Sequence, residues 1–298
     1  MPSLRDMRAR IQSVKNTQQI TRAMKMVSAA KLRRAQEQIV SMRPYAQRLL
    51  QIISDVALTQ RMEHPLFMNN NEAVSKKALF IVMTSDRGLC GGFNSSVCRF
   101  TENFINENRS KYEKMDFIFI GKKGADYFRR RKVQAKRVML NLAREISYVM
   151  AEDLAQTCMT EFSTGDYDEV KLIYNEFKSV ISQKLTVEKL LPIDLSKGAL
   201  ADAGDVKFPF SKDLIFEPSP REIIDELLVQ HFAMQVYRGL SESVAAEHAA
   251  RMTAMENATK NAKEMISKMT LVYNKVRQAS ITKELIEICS GAEAVNSV

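Results

Sequence analysis

From Pro220 to Ser290 the chain runs for about seventy residues with no proline after the first position and a single glycine, Gly239. A stretch of that length without a breaker reads as one continuous helix. Within it Met255, Ala258, Ala262, Met265, Met269, Val272, Val276 and Ala279 recur at steps of three and four residues. That spacing keeps one seam turned toward a partner helix in a left-handed supercoil. At about 1.5 Å per residue such a helix is on the order of 100 Å long, more than a domain of this size can bury along its whole length. The chain is therefore expected to be partly a rod, which favours a mechanical or scaffolding role over a pocket. Ser219, Pro220 and Glu222 form a capping box at its start, and Gly291 is expected as a left-handed C-cap at its end.

A second apolar period opens the chain. Leu4, Met7, Ile11 and Val14 fall in heptad steps, and Met24, Val27, Ala35, Ile39 and Met42 follow after an expected phase change between Thr17 and Ile20. Ser3 and Asp6 are placed to cap this helix, Pro44 is expected to kink or interrupt it, and Leu49, Ile52, Ile53 and Val56 resume an apolar face. Two helices with narrow apolar stripes at opposite ends of one chain most simply bury them against each other, antiparallel.

Between the helices the period changes. Ala78–Thr84, Asp116–Ile120, Glu169–Phe177 and Leu185–Pro192 read as strands, while Phe93–Asn108, a segment after Gly121 to about Arg131, and Ile146–Phe162 read as helices. The alternation predicts a small α/β domain whose sheet begins parallel. Residues 196–213 read as a loop and Leu214–Glu217 as a short strand. The expected fold class is α/β plus a long antiparallel coiled coil, with the terminal helices paired as a rod and a small Rossmann-like domain between them. The expected boundaries are 1–60, 75–195, 196–218 and 219–298.

Charge is strongly segregated. Residues 1–50 hold eleven Lys or Arg against Asp6 and Glu37, a net of +9, which equals the net charge of the whole 298-residue chain. The positive excess thus lies on the first helix and points to an acidic partner. The segment has one aromatic residue, Tyr45, and its basic residues are interleaved with the apolar seam, which argues against nucleic acid. No run approaches the roughly eighteen apolar residues of a membrane span, and the basic N-terminal helix lacks the apolar core of a secretory signal. Cys90, Cys98, Cys158 and Cys289 make no Cys-x-x-Cys pair and no metal spacing with His64, His231 or His248, so they read as idle thiols of a reducing compartment.

The loop Ser85-Asp86-Arg87-Gly88-Leu89-Cys90-Gly91-Gly92 follows the first strand, where a doubly wound sheet binds phosphate. Its glycines fit neither the Gly-x-x-x-x-Gly-Lys nor the Gly-x-Gly-x-x-Gly spacing. They read instead as turn residues that let the next helix approach the sheet. His-Glu-x-x-His and Gly-x-Ser-x-Gly are absent, and Asp225, Glu226, Glu284 and Glu287 lie in highly charged helical stretches, where salt-bridged or solvated carboxylates are the rule. No catalytic site, cofactor or metal is expected.

Three segments in order, Leu4 through Ala35 with its Ala23-Met24-Lys25-Met26-Val27-Ser28-Ala29-Ala30-Lys31 centre, the loop Ser85–Asn94, and Tyr273 through Leu285 with Val276-Arg277-Gln278-Ala279-Ser280-Ile281-Thr282, resemble the gamma subunit of F-type ATP synthase. The resemblance covers nearly the whole chain. It implies a central shaft inside a ring of three alpha and three beta subunits, a foot formed with the epsilon subunit on the c-ring, and no chemistry of its own. It further implies partner contacts at Met24 and Lys25, at Arg251, and at Arg277, Gln278, Thr282, Glu284 and Glu287. Membrane association is then indirect, through the c-ring, on the cytoplasmic face of a bacterial inner membrane. The paired redox cysteines of chloroplast relatives are missing around residues 190–215, so a bacterial type is expected.

Overall fold

A computed structural model describes residues 3–59, 62, 64–67, 77–140, 148–180, 182–194 and 217–296. The elements in chain order are α1 (Leu4–Thr59), β1 (Lys77–Met83), α2 (Phe93–Asn108), β2 (Lys114–Ile120), α3 (Lys122–Arg130), β3 (Ala135–Met139), α4 (Tyr148–Ser163), β4 (Glu169–Phe177), β5 (Gln183–Leu191) and α5 (Pro220–Asn296). The expected loop at 196–213 and most of the expected strand at Leu214–Glu217 lie outside the described residues. Two compact units result, residues 1–28 with 252–298, and residues 29–251.

The larger unit is built on a five-stranded sheet in the order β3-β2-β1-β4-β5. β1 pairs in parallel with β2 and β4, β2 pairs in parallel with β3, and β5 closes the other edge antiparallel to β4. Side chains alternate between faces along each strand. Leu79, Ile81, Met83, Leu172 and Tyr174 turn to one side, against Leu49, Ile53 and Val56 of α1, Leu154 and Cys158 of α4, and Ile224, Leu228 and Phe232 of α5. Phe80, Val82, Phe117, Phe119 and Ile173 turn to the other, against Val97 of α2 and Phe128 of α3. Each such side chain taken fully out of water contributes roughly 1.5–3 kcal/mol, so both faces are firmly covered. At Gly239 an added Cβ would lie 2.5 Å from Leu172 Cδ2. Gly239 thus lets α5 cross the sheet with no side chain between them.

Strand β3 escapes the sequence reading. Four of its five residues are exposed at the sheet edge and only Met139 is buried, so it carries no alternating pattern to read. Pro44 does not interrupt α1, which is helical from Leu4 to Thr59. The apolar side chains on both sides of it, Met42 and Leu49, are buried and hold the helix through the proline. Gly291 is not a C-cap, because α5 continues to Asn296 and Gly291 is absent from the positive-φ residues. Half of the capping box is present: Glu222 N donates to Ser219 Oγ at 3.3 Å, while the Glu222 carboxylate accepts from the Ser219 hydroxyl, Oγ to Oε1 at 3.0 Å, instead of from the backbone. Asp6 N likewise donates to Ser3 Oγ at 3.1 Å.

In the smaller unit the start of α1 lies beside the end of α5. Arg8 pairs with Tyr273, Thr21 with Thr259 and Lys25 with Glu256, so the two segments run antiparallel. The seam differs from the expected one. On α1 the inward positions continue unshifted through Gln18, Thr21 and Ser28, while Val27 is 56% exposed. On α5 they are Met255, Ala258, Ala262, Ile266, Met269, Tyr273, Val276 and Ser280, while Met265, Val272 and Ala279 point outward. Met255, Ala262, Met269 and Val276 keep the expected seven-residue period, and the second inward row falls one residue later than expected, at Ile266, Tyr273 and Ser280 in place of Met265, Val272 and Ala279.

Candidate partner-contact site

Three arrangements bear on function, two in the smaller unit and one in the larger. In the smaller unit, Gln18, Gln19, Arg22, Lys25 and Met26 of α1 and Glu256 and Thr259 of α5 line an open groove. Lys25 Nζ lies 2.7 Å from Glu256 Oε1, with both side chains partly exposed. Such a pair is worth at most about 1 kcal/mol and exchanges readily for another partner. Met24 is half-buried beside it. The Thr21 and Thr259 hydroxyls meet at 2.8 Å in the seam; one donates to the other, and the accepting hydroxyl spends its own proton on a carbonyl of its own helix, Gln18 O for Thr21 or Met255 O for Thr259. Ile20, Met26 and Val27 face outward, each more than half exposed. At this level of the helix pair hydroxyls lie inside and large apolar side chains outside.

On α5 the residues singled out from sequence lie on exposed turns. Arg277 and Gln278 are exposed, and their side chains make no hydrogen bond or ion pair among the described residues. Thr282 Oγ1 donates to Gln278 O at 2.9 Å, Glu284 Oε1 accepts from Ser280 Oγ at 3.3 Å, and Glu287 pairs with Lys283 at 3.5 Å. In the register set by Arg8 and Tyr273, Leu4 falls opposite Arg277. The last turns of α5 therefore run past the start of α1, carrying Ile281, Leu285 and Ile288 on one exposed face.

In the larger unit, Arg251 is buried and its guanidinium is held from two sides. Nη1 lies 2.6 Å from Glu247 Oε1 one turn earlier, and Nη2 donates to the carbonyls of Gly88 at 3.2 Å and Arg87 at 3.5 Å. Burial pushes the Glu247 carboxyl up while Arg251 beside it pulls the other way. His248 is pushed down to about 4 by burial, with Arg251 and Lys31 adding to it. The loop itself is braced from within. Ser85 N donates to Asn94 Oδ1 at 2.9 Å, Ser85 Oγ donates to Arg87 O at 2.6 Å, and Asn94 Nδ2 donates to Cys90 Sγ at 3.2 Å. Leu89 and Gly91 take positive φ, 64° and 58°. The loop turns carbonyl oxygens toward α5, the polarity that seats a cation and repels a phosphate.

The structure thus places Lys25 at the groove with Met24 next to it on α1, groups Arg277, Gln278, Thr282, Glu284 and Glu287 along the end of α5, and holds Arg251 within the larger unit. Glu247, the loop carbonyls and the Thr21–Thr259 pair were missed from sequence. The i,i+4 spacing of Glu247 and Arg251 was visible, but nothing local points to carbonyls 163 residues away.

Residues 3–295 match the family described as ATP synthase. The chain is 56% identical over 295 residues to the ATP synthase gamma chain of Bdellovibrio bacteriovorus, covering 99% of each. It is 48% identical over 299 residues to the gamma chain of Anaeromyxobacter sp. strain K, covering 99% of this chain and 100% of the relative. Among solved structures it resembles a chain in the central stalk and c-ring of the Tetrahymena thermophila mitochondrial ATP synthase, at a TM-score of 0.60 and 30% identity, covering 80% of this chain and 99% of that one. A chain of the Euglena gracilis mitochondrial ATP synthase, in a structure of OSCP, F1 and c-ring, aligns at a TM-score of 0.66 and 25% identity, covering 99% of this chain and 95% of that one.

Proposed function

Because the chain belongs to the family of ATP synthase gamma chains, we propose that it is the central stalk of such a complex. It couples rotation of a c-ring to ATP synthesis or hydrolysis in a surrounding ring of three alpha and three beta subunits, and makes its foot with epsilon. The reading includes a supercoiled antiparallel shaft formed by the chain termini, a peripheral place at the cytoplasmic face of a bacterial membrane through the c-ring, and the partition at 1–60, 75–195, 196–218 and 219–298. The observation that carries it is the set of large apolar side chains on the outside of the helix pair. Ile20, Met26, Val27, Leu271 and Val272 are outward and exposed, an arrangement that leaves apolar surface for a surrounding protein to cover.

Within this reading Met24 and Lys25 meet an acidic lever of a beta subunit, and Arg277, Gln278, Thr282, Glu284 and Glu287 meet the upper part of the ring. Cations and amides on exposed helical turns suit acidic or carbonyl-rich loops that are engaged and released in turn. The test is isolation of the tagged chain from its own membranes. Alpha and beta in threefold excess, with epsilon and a c-ring, are the expected companions. Recovery as a lone chain, or bound to nucleic acid in a salt-sensitive manner, overturns the proposal.

A further inference from the structure

Open parallel sheets bind ligands outside the C-terminal ends of their strands, where the strand order reverses. In this sheet that place lies between β1 and β4, since β2 and β3 extend to one side of β1 and β5 lies beyond β4. Here α5 occupies it. Ala246 packs against Cys90 and Phe93, with Ala250 and Phe177 alongside. The residues α5 buries along this stretch include Ala245, Ala246 and Ala249, which allow close approach but interlock weakly because they carry no side chain beyond Cβ. Dispersion contacts between such smooth surfaces resist separation more than sliding.

At this end of the contact what opposes sliding is directional, as the Arg238–Glu188 ion pair to β5 is earlier along α5. The Arg251 fork reaches three acceptors at once, Glu247 on its own helix and the carbonyls of Arg87 and Gly88 on the loop. The same loop is tied through Ser85 and Asn94 to the end of β1 and the first turn of α2. Resting on the stalk role above, we propose that Arg251 is a positioning residue of the rotor, a latch that fixes the axial and rotational register of α5 against the central strand of the sheet. Torque entering the sheet is then delivered to the helix without slip. A planar guanidinium serves all three acceptors from one fixed fork, whereas a lysine ammonium is a single point charge without that geometry.

The test uses the assembled membrane complex. Backbone amide exchange in residues 85–92 reports the latch, and protons pumped per ATP hydrolysed report its use. Arg251→Gln is expected to raise exchange in the loop about tenfold, as loss of a charge-assisted bond predicts, and to lower the pumping ratio at least twofold, with Arg251→Lys in between. Exchange unchanged from the parent overturns the latch, and raised exchange with an unchanged ratio overturns its role in coupling. Loss of assembly in both Arg251→Gln and the charge-balanced pair Glu247→Gln with Arg251→Gln makes the residue part of the folding core and likewise overturns the proposal. Failure of the parent complex to pump would instead overturn the stalk role itself.

Discussion

Gly121, at the C-terminal end of β2, shows how narrow some positions are. Its φ is 97°, and a Cβ there would lie 2.2 Å from the carbonyl oxygen of Thr84. Backbone strain and a clash with backbone combine, so Gly121→Ala is expected to cost on the order of 2–5 kcal/mol. The urea midpoint of the purified chain measures it, and a midpoint equal to the parent's would show that the turn relaxes freely. His231 makes a different case. It is buried in α5, its Nδ1 lacks a partner among the described residues, and burial, then Arg238, pushes it down to about 4. The unfolded chain therefore binds a proton that the folded one refuses between pH 6.5 and about 4. Stability from this residue is present above pH 6.5 and is lost as pH falls toward 4. His231→Leu should flatten stability against pH across that window, and an identical slope in parent and variant refutes the assignment.

At the scale of elements, much was legible because it is written locally. The start of α5 could be read because Ser219 and Glu222 cap it through neighbours three residues apart. The ends of α2 and β4 were read at their observed limits. β3 was not, because an exposed edge strand needs no apolar residues. The seam was mistraced because apolar residues were followed, whereas burial follows geometry: Thr21 and Ser28 are inside, and Ile20 and Val27 are outside. Nothing in a single sequence distinguishes an apolar residue that faces a partner helix of the same chain from one awaiting a different chain. The Thr21–Thr259 pair tests the role of hydroxyls in the seam. Removing both buried partners in favour of apolar groups of the same shape is close to neutral or stabilising, while removing one costs about 1 kcal/mol. Thr21→Val with Thr259→Val should therefore be at least as stable as the parent, with each single variant lower. A double variant weaker than both singles would show that the hydroxyls hold the helices together.

For the molecule as a whole, no described helix is long and apolar enough to cross a membrane. Coupling in the proposed role is carried by surfaces, and the exposed Arg277 and Gln278 are the sharpest case because their side chains make no bond among the described residues. Arg277→Ala with Gln278→Ala is expected to keep parental helix content and subunit stoichiometry yet lose a large part of ATP-driven rotation. A melting temperature well below the parent's, or full activity, would make the pair structural or idle. The distance along the chain between contacting partners has a further consequence, for biosynthesis. Gln38 of α1 bonds Tyr237 of α5 across 199 residues, and Arg8 bonds Tyr273 across 265. At roughly 5–20 residues per second, the ribosome needs on the order of 10–40 s after making the first helix before its cover begins to emerge. Throughout that interval Leu32, Ile39, Leu49 and Ile53, all buried in the finished chain, have no segment of α5 to close over them. Nascent chains arrested before Pro220 should thus be the species that chaperones retain and that aggregates when they do not.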